Sequence, residues 1–195
     1  MFSNFKDFNT GILEDIAIIT MGQSPKGNTY NEVGKGTVFY QGRAEFGSRF
    51  PTRRLYTTEP KRLASANDVL LSVRAPVGDI NIAFEECCIG RGLCSIRSRQ
   101  GYSSYLLYTL FTLKPYLEKF NGEGTVFGSI NKKQLSTLPI VCFPDEQIRK
   151  FNVLTKPLDD LIRSNTKAIY RLIELRDCLL PKLMSGEIDV SSIKI

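Results

Sequence analysis

The side chains best suited to recognition lie in one basic stretch. Gln41 is followed by Arg43, Arg49, Arg53 and Arg54, with Phe46 and Phe50 between them. From Arg43 to Arg62 six Lys/Arg face only Glu45 and Glu59. Arginine presents a planar fork of donors that fits a phosphate or the O6/N7 edge of guanine, and glutamine fits the N6/N7 edge of adenine. The loop either meets DNA or is tucked onto the core by its aromatics. A second basic group, Ser129, Lys132 and Lys133, follows a glycine-rich loop at 121–128. That loop fits neither G-x-G-x-x-G nor the P-loop pattern. Two readings stand: a main-chain grip on a backbone phosphate, or a structural turn. Arg74 flanks the turn after the apolar run DVLLSV, where it either meets DNA or pairs locally with Asp79.

Acid–base and metal chemistry find little support. The chain contains no histidine. That removes a Ser-His-Asp triad, a histidine base and any histidine-containing zinc site. The five cysteines form no C-x-x-C pair, so cysteine-only zinc is not expected either. Ser164 and Lys167 spell S-x-x-K, but on a helical seam with no partner motif. Asp145, Glu146 and Lys150 resemble a nuclease cluster superficially; acids after Pro144 read better as a helix start, with Asp145 capping. No catalytic residue, metal or cofactor is therefore expected.

Charge points to the partner class. The chain has 195 residues, a hydrophobic fraction of 42% and a formal net charge of +6. Up to Phe143 there are 17 Lys/Arg against 12 Asp/Glu; from Pro144 onward there are 9 against 8. A basic globular part beside a near-neutral C-terminal part suggests that the globular part meets a polyanion. No run of about 18 apolar residues suggests a membrane span. The start, MFSNFKDFNTGILEDI, lacks the basic and apolar regions of a signal peptide. A cytoplasmic protein with reduced thiols, mostly buried in strands, is expected.

The elements that must position these residues follow from periodicity. Leu13–Thr20, Thr37–Gln41, Arg54–Thr57 (as a short edge), Asp68–Val73, Ile80–Phe84, Cys88–Ile89 and Leu93–Ile96 read as short strands separated by Gly/Pro turns. Leu138–Phe143 reads as a last strand. Ser103 or Ser104 is placed to cap a helix through Phe120, with Pro115 kinking or dividing it. Asn131 is placed to cap a short helix, KKQLS. The fold class predicted is α+β: a curled mixed β-sheet with flanking helices in residues 1–144, then a helical region with a short tail in residues 145–195.

That helical region carries a seam. Phe151, Leu154, Leu158, Leu161, Asn165, Ala168, Leu172, Leu175 and Leu179 recur at steps of three and four, the period that keeps one face against a partner helix. Asn165 is the polar position, of the kind that fixes register at some cost in stability. The alternative is an amphipathic helix packed on its own domain. Pro157 is expected to split the helix by opening a second one, and Leu180-Pro181 to end the seam. From Leu158 to Leu179 the helix spans roughly 33 Å at about 1.5 Å per residue, close to one DNA turn of about 34–36 Å.

Several phrases in order resemble one family. Leu13-Glu14-Asp15-Ile16 through Gly22-Gln23-Ser24-Pro25, then DVLLSVRAPVGDINIA with CIGRGLCSIR, then GTVFGSINKKQLSTLPI with PDEQIRKF, and finally LIELRDCLLPKLMSGEIDV are similar to the DNA-specificity subunit of type I restriction-modification systems. The chain resembles half of such a subunit, with one target-recognition domain and one conserved spacer helix. The resemblance implies a non-catalytic module that reads one half of a split site in double-stranded DNA. Its expected partners are methyltransferase subunits and, through them, restriction subunits. A homodimer through the seam would supply the second helix and read inverted half-sites. The family's recognition loops vary, so the base-reading residues rest on charge and loop placement. The alternatives are a protein-only coiled-coil adaptor and a small DNA-modifying enzyme. Against the latter, no S-adenosylmethionine loop and no Asn/Asp-Pro-Pro-Tyr motif are found in the sequence.

Overall fold

A computed structural model describes residues 9–121 and 128–188 of the chain. Among them run β1 (Asn9–Ile12), the single turn α1 (Leu13–Ile16), β2 (Ala17–Met21), β3 (Tyr30–Asn31), β4 (Thr37–Tyr40), β5 (Tyr56–Thr57), β6 (Leu63–Ala64), β7 (Val69–Ser72), β8 (Ile80–Ile82), β9 (Cys87–Ile89) and β10 (Leu93–Ser98). Then come α2 (Ser103–Leu117), α3 (Lys132–Ser136), β11 (Pro139–Cys142) and α4 (Asp145–Met184). Contacts group the chain into two compact units, Met1–Val153 and Leu154–Ile195.

The strands are shared among three sheets. An antiparallel sheet runs β2-β10-β7-β8, and a second runs β3-β5-β4-β9-β6. The second is mixed, because β4 and β9 pair parallel. A third pairs β1 with β11. The α+β class, the mixed sheet and the long C-terminal helix are as the sequence predicts.

β7 and β10 explain why apolar residues follow one another directly at Val69–Leu71 and Leu93–Cys94. Successive side chains of a strand point to opposite faces, and here both faces are covered. Val69, Leu71, Cys94 and Ile96 enter one core with Leu106, Leu107 and Leu110 of α2 and Leu135 of α3. Leu70 and Leu93 enter the other with Val38, Tyr40 and Ile89. Of the cysteines, Cys87, Cys88 and Cys94 are buried in these strands as free thiols, Cys142 is half-buried and Cys178 is exposed. Desolvation pushes the Cys87 and Cys94 thiols up to about 12, so they are inert.

Several local expectations are corrected. Leu13–Thr20 is not one strand: Leu13–Ile16 makes a helical turn, because Asp15 Oδ2 accepts the Ile12 N–H at 2.8 Å. The strand near Arg54 covers only Tyr56–Thr57 and lies between β3 and β4 rather than at an edge. Neither Ser103 nor Ser104 caps α2; Tyr102 holds the N-cap, and its own N–H donates to Ser98 Oγ at 3.0 Å. Pro115 sits in the last turn of α2, which runs unbroken through it to Leu117. Asn131 does cap α3: its side chain accepts the Gln134 N–H at 2.9 Å, and Gln134 Oε1 accepts the Asn131 N–H at 3.0 Å. That is the reciprocal capping box.

Pro157 and Pro181 do not break α4, which is continuous over 40 residues, about 60 Å at 1.5 Å per residue. A proline inside a helix frees the carbonyl four residues back. For Pro157 that is Val153, whose side chain is 69% exposed, so water can satisfy the carbonyl. The tail after Ile188 lies outside the described residues.

Candidate nucleic-acid interface

The loops that carry the expected DNA contacts are strung together by main-chain hydrogen bonds. Gly92 N–H donates to Gln41 O at 3.1 Å, and Val73 N–H donates to Gly92 O at 2.9 Å. Ile130 N–H donates to Val73 O at 3.0 Å, and Arg74 bridges Ser129 in antiparallel register. Ala75 N–H closes on Gly128 O at 2.9 Å. One rim therefore passes from Gln41 through Gly92 and Arg74 to Ser129, then into α3 with Lys132 and Lys133. All of its named polar side chains, Gln41, Arg74, Ser129, Lys132 and Lys133, are exposed.

Glycines allow this convergence. A Cβ on Gly90 would lie 2.8 Å from Gln41 Cα, and one on Gly92 would lie 2.8 Å from Gln41 O. A Cβ on Gly22 would meet Gly90 O at 2.1 Å. Three backbones meet where any side chain would push them apart. The sequence treats Gly90-Arg91-Gly92 as a spacer between strands; its packing role was missed. A glycine on each side of an exposed arginine, with a third in the Met21-Gly22-Gln23 turn, was the available signal. Of the glycine-rich loop, residues 122–127 lie outside the described residues.

The basic loop is anchored rather than loose. Phe50 is buried and meets Phe84 edge-on at 5.1 Å, and Phe46 packs on the second core. The aromatics thus tuck the loop onto the domain. Arg43, Arg53 and Arg54 are held by carboxylates. Arg43 pairs with Asp79, and Arg53 Nε lies 2.5 Å from Glu85 Oε1. Arg54 reaches Glu45 Oε1 through Nε at 3.2 Å and Nη2 at 2.6 Å. The side-chain hydrogen bond to Glu45 and its charge raise the Arg54 pKa. Arg49 sets its guanidinium 6.0 Å from the Tyr108 ring centre. Asp79 does not pair with Arg74 but with Arg43 and, at 3.8 Å, with Lys114. The turn is instead tied by Ser72, whose Oγ–H donates to Pro76 O at 2.7 Å and whose Oγ accepts the Asp79 N–H at 2.9 Å. Arg74, Lys132 and Lys133 have no carboxylate partner among the described residues.

The seam is solvent-facing. Leu154, Leu158, Leu161, Leu172, Leu175 and Leu179 of α4 are 43–73% exposed, and Asn165 and Ala168 are exposed between them. Ile148, nearer the helix start, is buried. Phe151, the first seam residue, meets the rings of Tyr105 and Tyr108 edge-on at 6.5 and 5.8 Å. It lines an apolar groove of about 610 Å3 with Tyr105, Tyr108, Leu113 and Ile148. Among the described residues no cluster of His, Cys, Asp and Glu could hold a metal ion, and no helix is long and apolar enough to cross a membrane.

Comparison with known proteins gives this arrangement its context. Residues 6–174 match the family described as the type I restriction modification DNA specificity domain. A putative type I restriction enzyme MjaX specificity subunit of Methanocaldococcus jannaschii is 39% identical over 176 residues, which are 89% of this chain and 41% of that one. The HindI specificity subunit of Haemophilus influenzae is 26% identical over 67% of this chain and 29% of its own. Among solved structures, the HsdS subunit of Thermoanaerobacter tengcongensis superposes with a TM-score of 0.67 at 35% identity, covering 94% of this chain and 46% of that one. A chain from a structure on assembly and conformational transition of the type I R-M system gives 0.68 at 36%, covering 92% and 47%. The chain thus spans less than half the length of these relatives. It belongs to the family of type I restriction-modification DNA specificity subunits.

Proposed function

We propose that this chain is a non-catalytic half of a type I specificity subunit. Its globular unit reads one half of a split duplex site, and α4 sets the spacing to a second reader. The observation that carries the reading is the hydrogen-bonded rim from Gln41 to α3, which gathers the loops with exposed cations onto one connected ledge. Arg74, Lys132 and Lys133 on it are uncommitted to carboxylates and suit phosphate contacts. Gln41, with Arg43, Arg49 and Arg53 in the basic loop, suits base edges; Arg43 and Arg53 would exchange a carboxylate partner for DNA. The complex would direct methyltransferase subunits, and restriction subunits with them, to the site in the cytoplasm.

The seam supports a two-fold pair. Phe151 and Leu179 each lie fourteen residues from Asn165, and Leu158 and Leu172 each lie seven. An antiparallel pair centred on Asn165 sets Phe151 opposite Leu179 and Leu158 opposite Leu172, and the two asparagines meet at the axis. Purified with its cognate methyltransferase subunit, the chain is expected to methylate a split duplex sequence; a complex that forms but binds no duplex sinks the reading. By sedimentation the chain is expected to be a dimer and Leu172→Asp a monomer. A dimer surviving that change removes the seam from the interface.

A further inference from the structure

The Gly90-Arg91-Gly92 turn presents an exposed cation from a tightly braced stretch of the rim. Leu93 N–H closes the turn on Gly90 O at 3.0 Å. Gly90 N–H donates to Tyr40 O at 2.8 Å, and Gln23 N–H donates to Ile89 O at 2.9 Å just before it. Arg91's own N–H donates to Ser24 Oγ at 3.2 Å. Neighbouring backbones thus hold the turn on two sides, the 22–24 turn and the 41–42 turn, and the flanking glycines let them approach. Gly90 is buried while Arg91 is exposed. Arg43, Arg53 and Arg54 are each occupied by a carboxylate; Arg91 has none among the described residues. A cation whose main chain is already immobilised loses little further main-chain entropy when it binds.

We infer that Arg91 is a DNA-backbone contact. The glycine clamp projects its guanidinium onto a phosphate beside the base-reading position of Gln41, and the same clamp fixes the Gln41 main chain. The inference rests on the DNA-recognition reading above and adds to it a fixed phosphate grip that sets register on the duplex. It also gives the three glycines a purpose: they align a positioning residue and a reading residue as one rigid piece.

The test is fluorescence anisotropy of the full chain with a labelled random-sequence duplex across a salt series. Each phosphate neutralised contributes about 0.9 to the slope of log K against log salt. Arg91→Ala is expected to lower the magnitude of that slope by about 0.9 and to weaken binding about tenfold at 50 mM salt. Arg91→Lys keeps the charge and is expected to restore the slope. Far-UV circular dichroism and Tm are expected to be unchanged in both variants, since the side chain is exposed. An unchanged slope in Arg91→Ala, with wild-type chain binding duplex, overturns this inference and leaves the DNA reading standing. A slope change accompanied by a fall in Tm also overturns it, because the variant has then disturbed the fold and not a phosphate contact. No binding of duplex by the wild-type chain at low salt overturns both.

Discussion

The globular unit and the C-terminal helix use the same residues to opposite ends. In β7 and β10, Leu70, Leu71 and Leu93 are 0% exposed. In α4, Leu154 and Leu172 are 73% and 64% exposed. Ionic groups divide the same way. Asp68 is 2% exposed and takes two hydrogen bonds from Arg97, at 2.7 and 2.9 Å, and one from the Ser65 N–H at 2.9 Å. The helix pairs Arg149–Asp145, Lys150–Glu146 and Lys156–Asp160 are i,i+4 contacts in solvent. In one region these strand leucines complete their burial within the chain. The other carries a regular apolar stripe whose burial energy is still unspent, and isolated proteins rarely keep such a stripe without a use for it.

The comparison breaks most directly by truncating one leucine in each region. Leu93→Ala removes a side chain buried between sheets and leaves a cavity, at a cost of about 2–5 kcal/mol. Thermal unfolding is expected to shift down by roughly 5–15 °C. Leu172→Ala, measured at concentrations where the chain is monomeric, is expected to stay within about 0.5 kcal/mol of wild type. The gap between the two variants is expected to narrow as concentration rises, because pairing adds stability by mass action. Equal losses at high dilution would mean that the seam is already buried against its own chain.

How far the sequence reveals this architecture follows the same division. The seam was legible because a period of three and four residues depends only on helix geometry. The buried strand in DVLLSV was legible because a strand covered on both faces carries apolar residues at successive positions, as Val69, Leu70 and Leu71 do. Helix continuity through Pro157 was not legible, since proline rules describe the cost of a lost bond and not whether water replaces it. The carboxylate partners of the arginines were not legible either. Arg43 and Asp79 lie 36 residues apart, and Arg53 and Glu85 lie 32 apart, so their meeting depends on sheet topology. The rim escaped for a related reason: Gln41, Gly92, Val73 and Ile130 come from four separate segments, and only the assembled sheets make them neighbours.

Pro157 offers a second, smaller test on the helix side. Relative to alanine, an interior proline costs a helix about 3 kcal/mol. Pro157→Ala restores a donor toward the Val153 carbonyl. It is expected to slow hydrogen exchange of amides around 153–161 while leaving that of β7 and β10 unchanged. Faster exchange, or a change in the strands, would mean that the proline is accommodated by contacts beyond the helix.

The smallest effects come from the ionic groups, and they separate the regions by burial and not by bond count. Asp68→Ala takes away the acceptor of three hydrogen bonds, and the Ser65 N–H and the Arg97 guanidinium must find new partners at a site closed to water on the Asp68 side. A cost of about 1–3 kcal/mol follows. Asp160→Ala removes an exposed partner of Lys156 whose loss water makes good, worth about 0.2–0.5 kcal/mol. Raising salt from 0.1 to 1 M shortens the screening length from about 10 Å to about 3 Å. It is expected to erase the Asp160 effect in urea unfolding and to leave most of the Asp68 effect in place. If the Asp68 penalty vanished in salt as well, that pair would be a surface contact, and the contrast between a closed unit and an open helix would hold for the leucines but not for the charges.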